Sequence, residues 1–194
     1  MSDQPEYLLW LDFETTGLDE TDVPIEVAAV LTTADTLDEI DGYETLIWAP
    51  VDAVTQCAAK DMHEASGLLR EWLADASWKA IPLWVDVDLF MMINRQCGES
   101  PVTLAGSGVG TFDLPIIKRL MPCLAKRLTY HVHDVGVMRR AYRRAVGADL
   151  TPRTEPAHRA MADVQQSLTE GRAFADLFRH DALIANRFME ASHE

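Results

Sequence analysis

Leu9-Trp10-Leu11-Asp12-Phe13-Glu14-Thr15-Thr16-Gly17-Leu18 is the stretch on which the reading of this chain turns. From Tyr7 to Phe13 the residues are apolar apart from Asp12, as in a buried strand. In a strand, positions i and i+2 share a face, so Asp12 and Glu14 stand side by side. Two neighbouring carboxylates at the end of a core strand repel and lose hydration, a cost of several kcal/mol unless a cation or hydrogen-bond donors offset it. A divalent metal is the simplest compensator. The same spacing also fits a frayed strand end with both side chains solvated, and spacing alone leaves the two readings open. Thr15, Thr16 and Gly17 favour the first, because a glycine turn directly after a strand lets the backbone approach a ligand closely.

The rest of the chain supplies a frame for that strand. At 194 residues, 48% of them hydrophobic, it is long enough for one α/β domain with a full core and short for two. Strands are expected at Tyr7–Phe13, Ile25–Thr33 and Tyr43–Trp48, an opening meander broken by the acidic segments 19–24 and 35–41. Helices are expected at Glu64–Ala76 and Leu83–Cys97, then a short strand Val102–Ala105 running into Gly106-Ser107-Gly108-Val109-Gly110. A further strand near Tyr130–His133, a helix Asp134–Val146, a loop over 147–156, a long helix from about His158 to Phe178 and a last one to Met189 complete the pattern. Strands first, then an interleaved strand-helix half, argue for helices layered on a mixed sheet.

Charge and composition exclude several classes. No apolar run reaches the roughly 20 residues needed to span a bilayer, and Met-Ser-Asp-Gln-Pro-Glu has no signal-peptide character, so a cytoplasmic protein without a membrane partner is expected. Cys57, Cys97 and Cys123 are odd in number and widely spaced, which predicts buried thiols rather than disulfides or a zinc site. A net charge of −14 disfavours gripping a long duplex and points to a short or locally held polyanion. The pairs Lys118-Arg119, Lys126-Arg127, Arg139-Arg140 and Arg143-Arg144 read as solvated helix faces. The glycine loop lacks both the dinucleotide spacing and a Gly-Lys-Ser/Thr step, so its expected job is to bring Asp113 to the Asp12/Glu14 strand. His158 and Asp163, five apart, sit about 140° around a helix from each other. That lets a histidine at the helix start face a phosphate while the aspartate reaches a metal.

These segments together resemble the DEDDh 3′-to-5′ exonucleases, and among them the oligoribonucleases. Residues 9–19 look like the first exonuclease motif and Ile25-Glu26-Val27-Ala28 like its second strand. Met62-His63-Glu64-Ala65-Ser66-Gly67-Leu68 looks like an oligoribonuclease signature, Asp113 like the second motif, and His158-Arg159-Ala160-Met161-Ala162-Asp163 like the third. The resemblance implies a single exonuclease domain over residues 1–194 with an RNase H-like α/β fold. It implies catalytic Asp12, Glu14, Asp113 and Asp163 holding two Mg²⁺ or Mn²⁺ ions, and His158 as general base. Substrate contacts would come from Thr15, Gly17, Leu18 as an apolar wedge between the last two bases, His63, Ser66 and Tyr130. The implied substrate is short single-stranded RNA, the product nucleoside 5′-monophosphates and the assembly a homodimer. The alternatives are an exonuclease on single-stranded DNA ends and a non-catalytic nucleic-acid-binding homologue.

Departures from the family pattern bear on substrate length. The family caps the 5′ phosphate with a Tyr-Arg step and a following serine; Tyr130 is kept, but His131 and Gly136 occupy the other two positions. A histidine offers less charge at neutral pH and no bidentate fork. The loop before Asp113 is one residue longer, and Ala58 stands where a tryptophan is expected. The metal chemistry is untouched by these changes, whereas strict dinucleotide preference does not follow from the resemblance.

Overall fold

A computed structural model describes residues 4–74, 78–152 and 155–191, with side chains described to residue 182. Six strands form one sheet: β1 (Tyr7–Thr15), β2 (Pro24–Thr33), β3 (Glu39–Ile47), β4 (Lys79–Ala80), β5 (Val102–Gly106) and β6 (Leu128–Asp134), in the order β4-β3-β2-β1-β5-β6. The first three strands are antiparallel, while β5 and β6 continue the sheet parallel to β1. The expected meander and mixed sheet are therefore present, with β1 at the junction of the two halves.

Alternation along β1 decides which layer each residue enters. Leu9, Leu11 and Phe13 pack into a core with α4 (Pro82–Cys97), α5 (Asp113–Leu120) and α6 (Pro122–Arg127). Leu8 and Trp10 pack on the other face with α7 (Val135–Val146) and α8 (Ala160–Ala191) through Val135, Ala160, Val164 and Leu168. By the same period of two, Asp12 and Glu14 face the α8 layer. The Trp10 indole N–H finds Thr32 Oγ1 at 3.1 Å, so its full burial leaves no unsatisfied donor.

Close approach of α8 to β1 depends on Gly171, where a Cβ would stand 2.3 Å from Cη2 of Trp10. Alanine there would gain roughly 1 kcal/mol of helix propensity. The overlap would cost more, since overpacking a filled core costs about 1–3 kcal/mol and a fully buried ring cannot move aside. Gly171→Ala is therefore expected to lower the thermal midpoint of unfolding, and an unchanged or higher midpoint would show that the two elements can separate freely.

Several expected elements differ in detail. The helix expected at 64–76 is two short ones, α2 (Lys60–Ala65) and α3 (Leu68–Leu73), because Gly67 takes φ 80° between them; residues 75 and 76 lie outside the described residues. A short α1 (Val51–Thr55) precedes them, and β3 begins four residues earlier than expected. The two final helices are one, since no glycine or proline interrupts residues 172–191. The loop expected at 147–156 is free of helix and strand where it is described; 153 and 154 lie outside the described residues. Buried thiols hold for Cys97 only: Cys57 is half-buried, and Cys123 is exposed in the first turn of α6, its N–H held by Asp86 Oδ2 at 3.1 Å. Arg127 and Arg143 are tied down rather than merely solvated, the first by Asn94 and the carbonyls of Gly98 and Ser100, the second by Asp149. Among the described residues, no helix is long and apolar enough to cross a membrane.

Candidate active site

The antiparallel pairing of β1 with β2 shifts register between Glu14 and Thr15, so the strand ends just past its second carboxylate and turns outward through Gly17. The glycine loop after β5 comes up beside it. A Cβ at Gly106 would stand 2.9 Å from the Leu11 carbonyl oxygen, which is why a side chain is absent at this point of contact. Asp134 steadies the same loop by accepting from Gly108 N–H at 3.1 Å while capping α7 through Val137 N–H at 3.0 Å. The loop delivers Asp113 at the start of α5, where its Oδ1 accepts the N–H of Phe13 at 3.1 Å, between the two acids of β1.

The last contributors come from the far end of the chain. Asp163 lies in the first turn of α8, and His158 stands just before that helix rather than on it, in a left-handed conformation with φ 53°. A ligand atom from each of Glu14, His158 and Asp163 lies within 4.8 Å of the other two. The structure thus gathers all five residues singled out as catalytic around the end of β1, and Asp12, Glu14, His158 and Asp163 line a cleft of about 770 Å³.

Electrostatics there are strained. Burial, then repulsion from Asp163 and Glu26, pushes the Glu14 carboxyl up to about 8. Asp12 is held well above the usual carboxylate range by burial and then by Asp113, Glu14 and Asp163. Asp113 is likewise raised, burial outweighing the hydrogen bonds it accepts. Four converging carboxylates, three of which (Asp12, Glu14 and Asp113) are held above the usual carboxylate range in the protein alone, have the donor chemistry of a hard divalent cation site.

The residues expected to touch substrate fall into two groups. Thr15, Gly17 and Leu18 line the cleft, Leu18 with its side chain 87% exposed at the rim. His63, Ser66 and Tyr130 are not among its lining residues. His63 is fully buried beneath the cleft floor; its Nε2 donates to the Thr15 carbonyl at 2.7 Å, and its Nδ1 lies 3.9 Å from Glu14 Oε2. Burial holds this imidazole below the usual histidine range. Ser66 Oγ bonds the His63 carbonyl at 3.3 Å, and Tyr130 stands out from β6, 87% exposed, its ring against that of His131.

Two groups at the site escaped the sequence reading. Arg139 lines the cleft, pairing with Glu170 at 2.9 Å and donating to Ser107 Oγ at 3.0 Å, although its sequence context reads as a surface pair. Glu26, 1% exposed, pairs with Arg159 at 2.8 Å. A lone carboxylate in the apolar run Ile25–Leu31 was a signal that a distant cation had to meet it.

Sheet order, helical layers and this cluster of acids define an RNase H-like exonuclease fold. Escherichia coli exonuclease I bound to a dT13 oligonucleotide superposes with a TM-score of 0.61 at 17% identity, over 90% of this chain and 43% of that one. The sequence model of the exonuclease family, RNase T type, matches residues 9–68. The chain is 31% identical to the oligoribonuclease of Corynebacterium diphtheriae over 192 residues, 96% of this chain and 88% of that protein. With the oligoribonuclease of Mycobacterium ulcerans it shares 36% over 172 residues, 85% of this chain and 78% of that one. The chain belongs to the oligoribonuclease family and is a 3′-to-5′ exonuclease.

Proposed function

We propose that this enzyme shortens short single-stranded RNA from the 3′ end, releasing nucleoside 5′-monophosphates with the help of two Mg²⁺ or Mn²⁺ ions. The observation that carries the reading is the convergence of Asp12, Glu14, Asp113 and Asp163 from β1, α5 and α8, with the charged forms of Asp12, Glu14 and Asp113 disfavoured. These four residues would hold the ions. When bound, the pair supplies a polarised water and neutralises charge on the attacking and leaving oxygens.

The chain's own residues do the rest. His158, within 4.8 Å of Glu14 and Asp163 in ligand-atom distance, takes the proton from the attacking water. Leu18, an exposed apolar side chain at the cleft rim, separates the last two bases, while the backbone at Thr15 and Gly17 seats the terminal nucleotide. His63 contributes from below, fixing the Thr15 carbonyl and the wall behind Glu14. Among the described residues, Arg139 is the one lysine or arginine lining the cleft, which suits a short polyanion better than a long one. A second copy of the chain would bring its Tyr130 to the site: the ring is solvent-facing, and β6 is an edge of the sheet.

The test is a panel of 3′-labelled and 5′-labelled RNA and DNA strands, from dimers to long oligomers, with Mg²⁺, Mn²⁺ or chelator. Stepwise, metal-dependent release of mononucleotides from the 3′ end of short RNA is expected, with slower release as length grows. Equal or faster turnover of DNA at every length would replace the RNA reading. No turnover on any strand would overturn the proposal.

A further inference from the structure

His158 occupies a left-handed backbone conformation at φ 53°, which a residue with a side chain keeps only when its neighbours hold it there. Its neighbours are pinned on both sides. Upstream, Ala157 N–H donates to Asp163 Oδ1 at 2.9 Å. Downstream, Ala160 N–H donates to Glu26 Oε2 at 2.9 Å, and the Arg159 guanidinium grips the same carboxylate through Nη2 at 2.8 Å and Nε at 3.1 Å. Arg159 Nη2 also reaches Glu71 Oε2 of α3 at 2.8 Å.

The placement of Glu26 is costly in itself. It is paired directly opposite Glu14 across β1 and β2, and like charges in that relation destabilise a sheet. It is also almost wholly buried. A carboxylate at such a place is tolerable because Arg159 and the first free N–H of α8 neutralise and satisfy it. One acidic group thus caps the helix that carries Asp163, grips the residue after His158 and faces Glu14.

We propose that Glu26 is a positioning residue for His158: with Arg159 and Ala160 it forms a clamp that fixes the imidazole over the cleft. The inference rests on His158 being the general base. Glu26, buried and bound to Arg159 and Ala160 N–H, acts through the turn at residues 157–160.

The test uses the full chain and compares Glu26→Ala, Glu26→Gln, His158→Ala and the double variant Glu26→Ala/His158→Ala. Glu26→Ala is expected to lower kcat about 10- to 100-fold, the cost of a misplaced reacting group, with KM within about threefold of the parent. Glu26→Gln, which keeps the shape and can still accept from Ala160 N–H, should recover part of that loss. The double variant should be no slower than His158→Ala within about twofold, because a clamp with nothing to position has no effect left to lose. Mn²⁺ affinity, read by calorimetry or electron spin resonance, should stay within about threefold of the parent in both Glu26 variants. Parental kcat in Glu26→Ala, losses that multiply in the double variant, or a fall in Mn²⁺ affinity that accounts for the kcat loss would each overturn the proposal. If Glu26→Ala does not fold, Glu26→Gln and its double with His158→Ala carry the same comparison. Full activity in His158→Ala would instead bring down the general-base reading, a result separate from failure of the clamp.

Discussion

Replacing Asp12 by Asn, or Glu14 by Gln, is expected to abolish metal-dependent mononucleotide release while making the metal-free protein more stable. The two effects share a cause. In the folded protein Glu14 ionises only near 8, pushed there by burial, Asp163 and Glu26, and Asp12 is also raised, by burial, Asp113 and Glu14. An unfolded glutamate ionises near its ordinary value of about 4.3. Between the two values the native state binds more protons than the unfolded one, so stability falls as pH rises and is lowest above the folded value. Without metal, the protein should therefore melt higher at pH 5.5 than at pH 8.5, and Mg²⁺ or Mn²⁺ should raise the midpoint more at the higher pH. Relief of even one pKa unit is worth about 1.4 kcal/mol, or about 3–6 °C in a chain of this size. Calorimetric scans of parent and Glu14→Gln at both pH values, with metal and with chelator, read this directly. A parental rate in Asp12→Asn would refute the site, and a metal-free midpoint that climbs with pH would refute the electrostatic account.

His158→Ala should cost about 10²- to 10⁴-fold in kcat, the usual worth of a general base, with Mn²⁺ affinity close to that of the parent. Single-turnover cleavage of a labelled RNA trimer at saturating metal separates the proton-transfer step from binding. The imidazole is within reach of both Glu14 and Asp163, so the alternative role is a metal ligand. A ligand role would show as a large loss of Mn²⁺ affinity, with much of the rate restored at high metal. A loss below threefold would remove His158 from the chemistry.

Much of this arrangement was legible in the residues, for identifiable reasons. Two carboxylates at i and i+2 of one strand share a face, which the spacing of Asp12 and Glu14 showed, and the glycine turn after them favoured a bound ligand over a solvated strand end. The glycine loop announced Asp113 because its residues serve backbone approach, as the contact between Gly106 and Leu11 bears out. What stayed hidden depended on partners far apart in sequence. Glu26 and Arg159 are separated by 133 residues, and only the register of β2 against β1 places that carboxylate beside Glu14. Arg139 sits in a helix whose basic residues look alike, yet the bond to Ser107 and the pair with Glu170 turn it into the cleft. His63 was expected at a nucleotide but lies under the floor, since α2 packs its ring against the Thr15 carbonyl. The helix expected over 64–76 broke at Gly67, whose left-handed φ no periodicity argument can see.

Because β1 lies where the antiparallel and parallel halves of the sheet meet, its acids are completed only by α5 and by the start of α8, residues 101 and 151 positions further along. A growing polypeptide emerging from the ribosome would hold Asp12 and Glu14 early, yet lack both His158 and Asp163 until about 150 further residues had been added. Cleavage at the proposed site would then have to wait for the first turn of α8, and a chain cut short before it would carry the two strand acids without the groups that complete them.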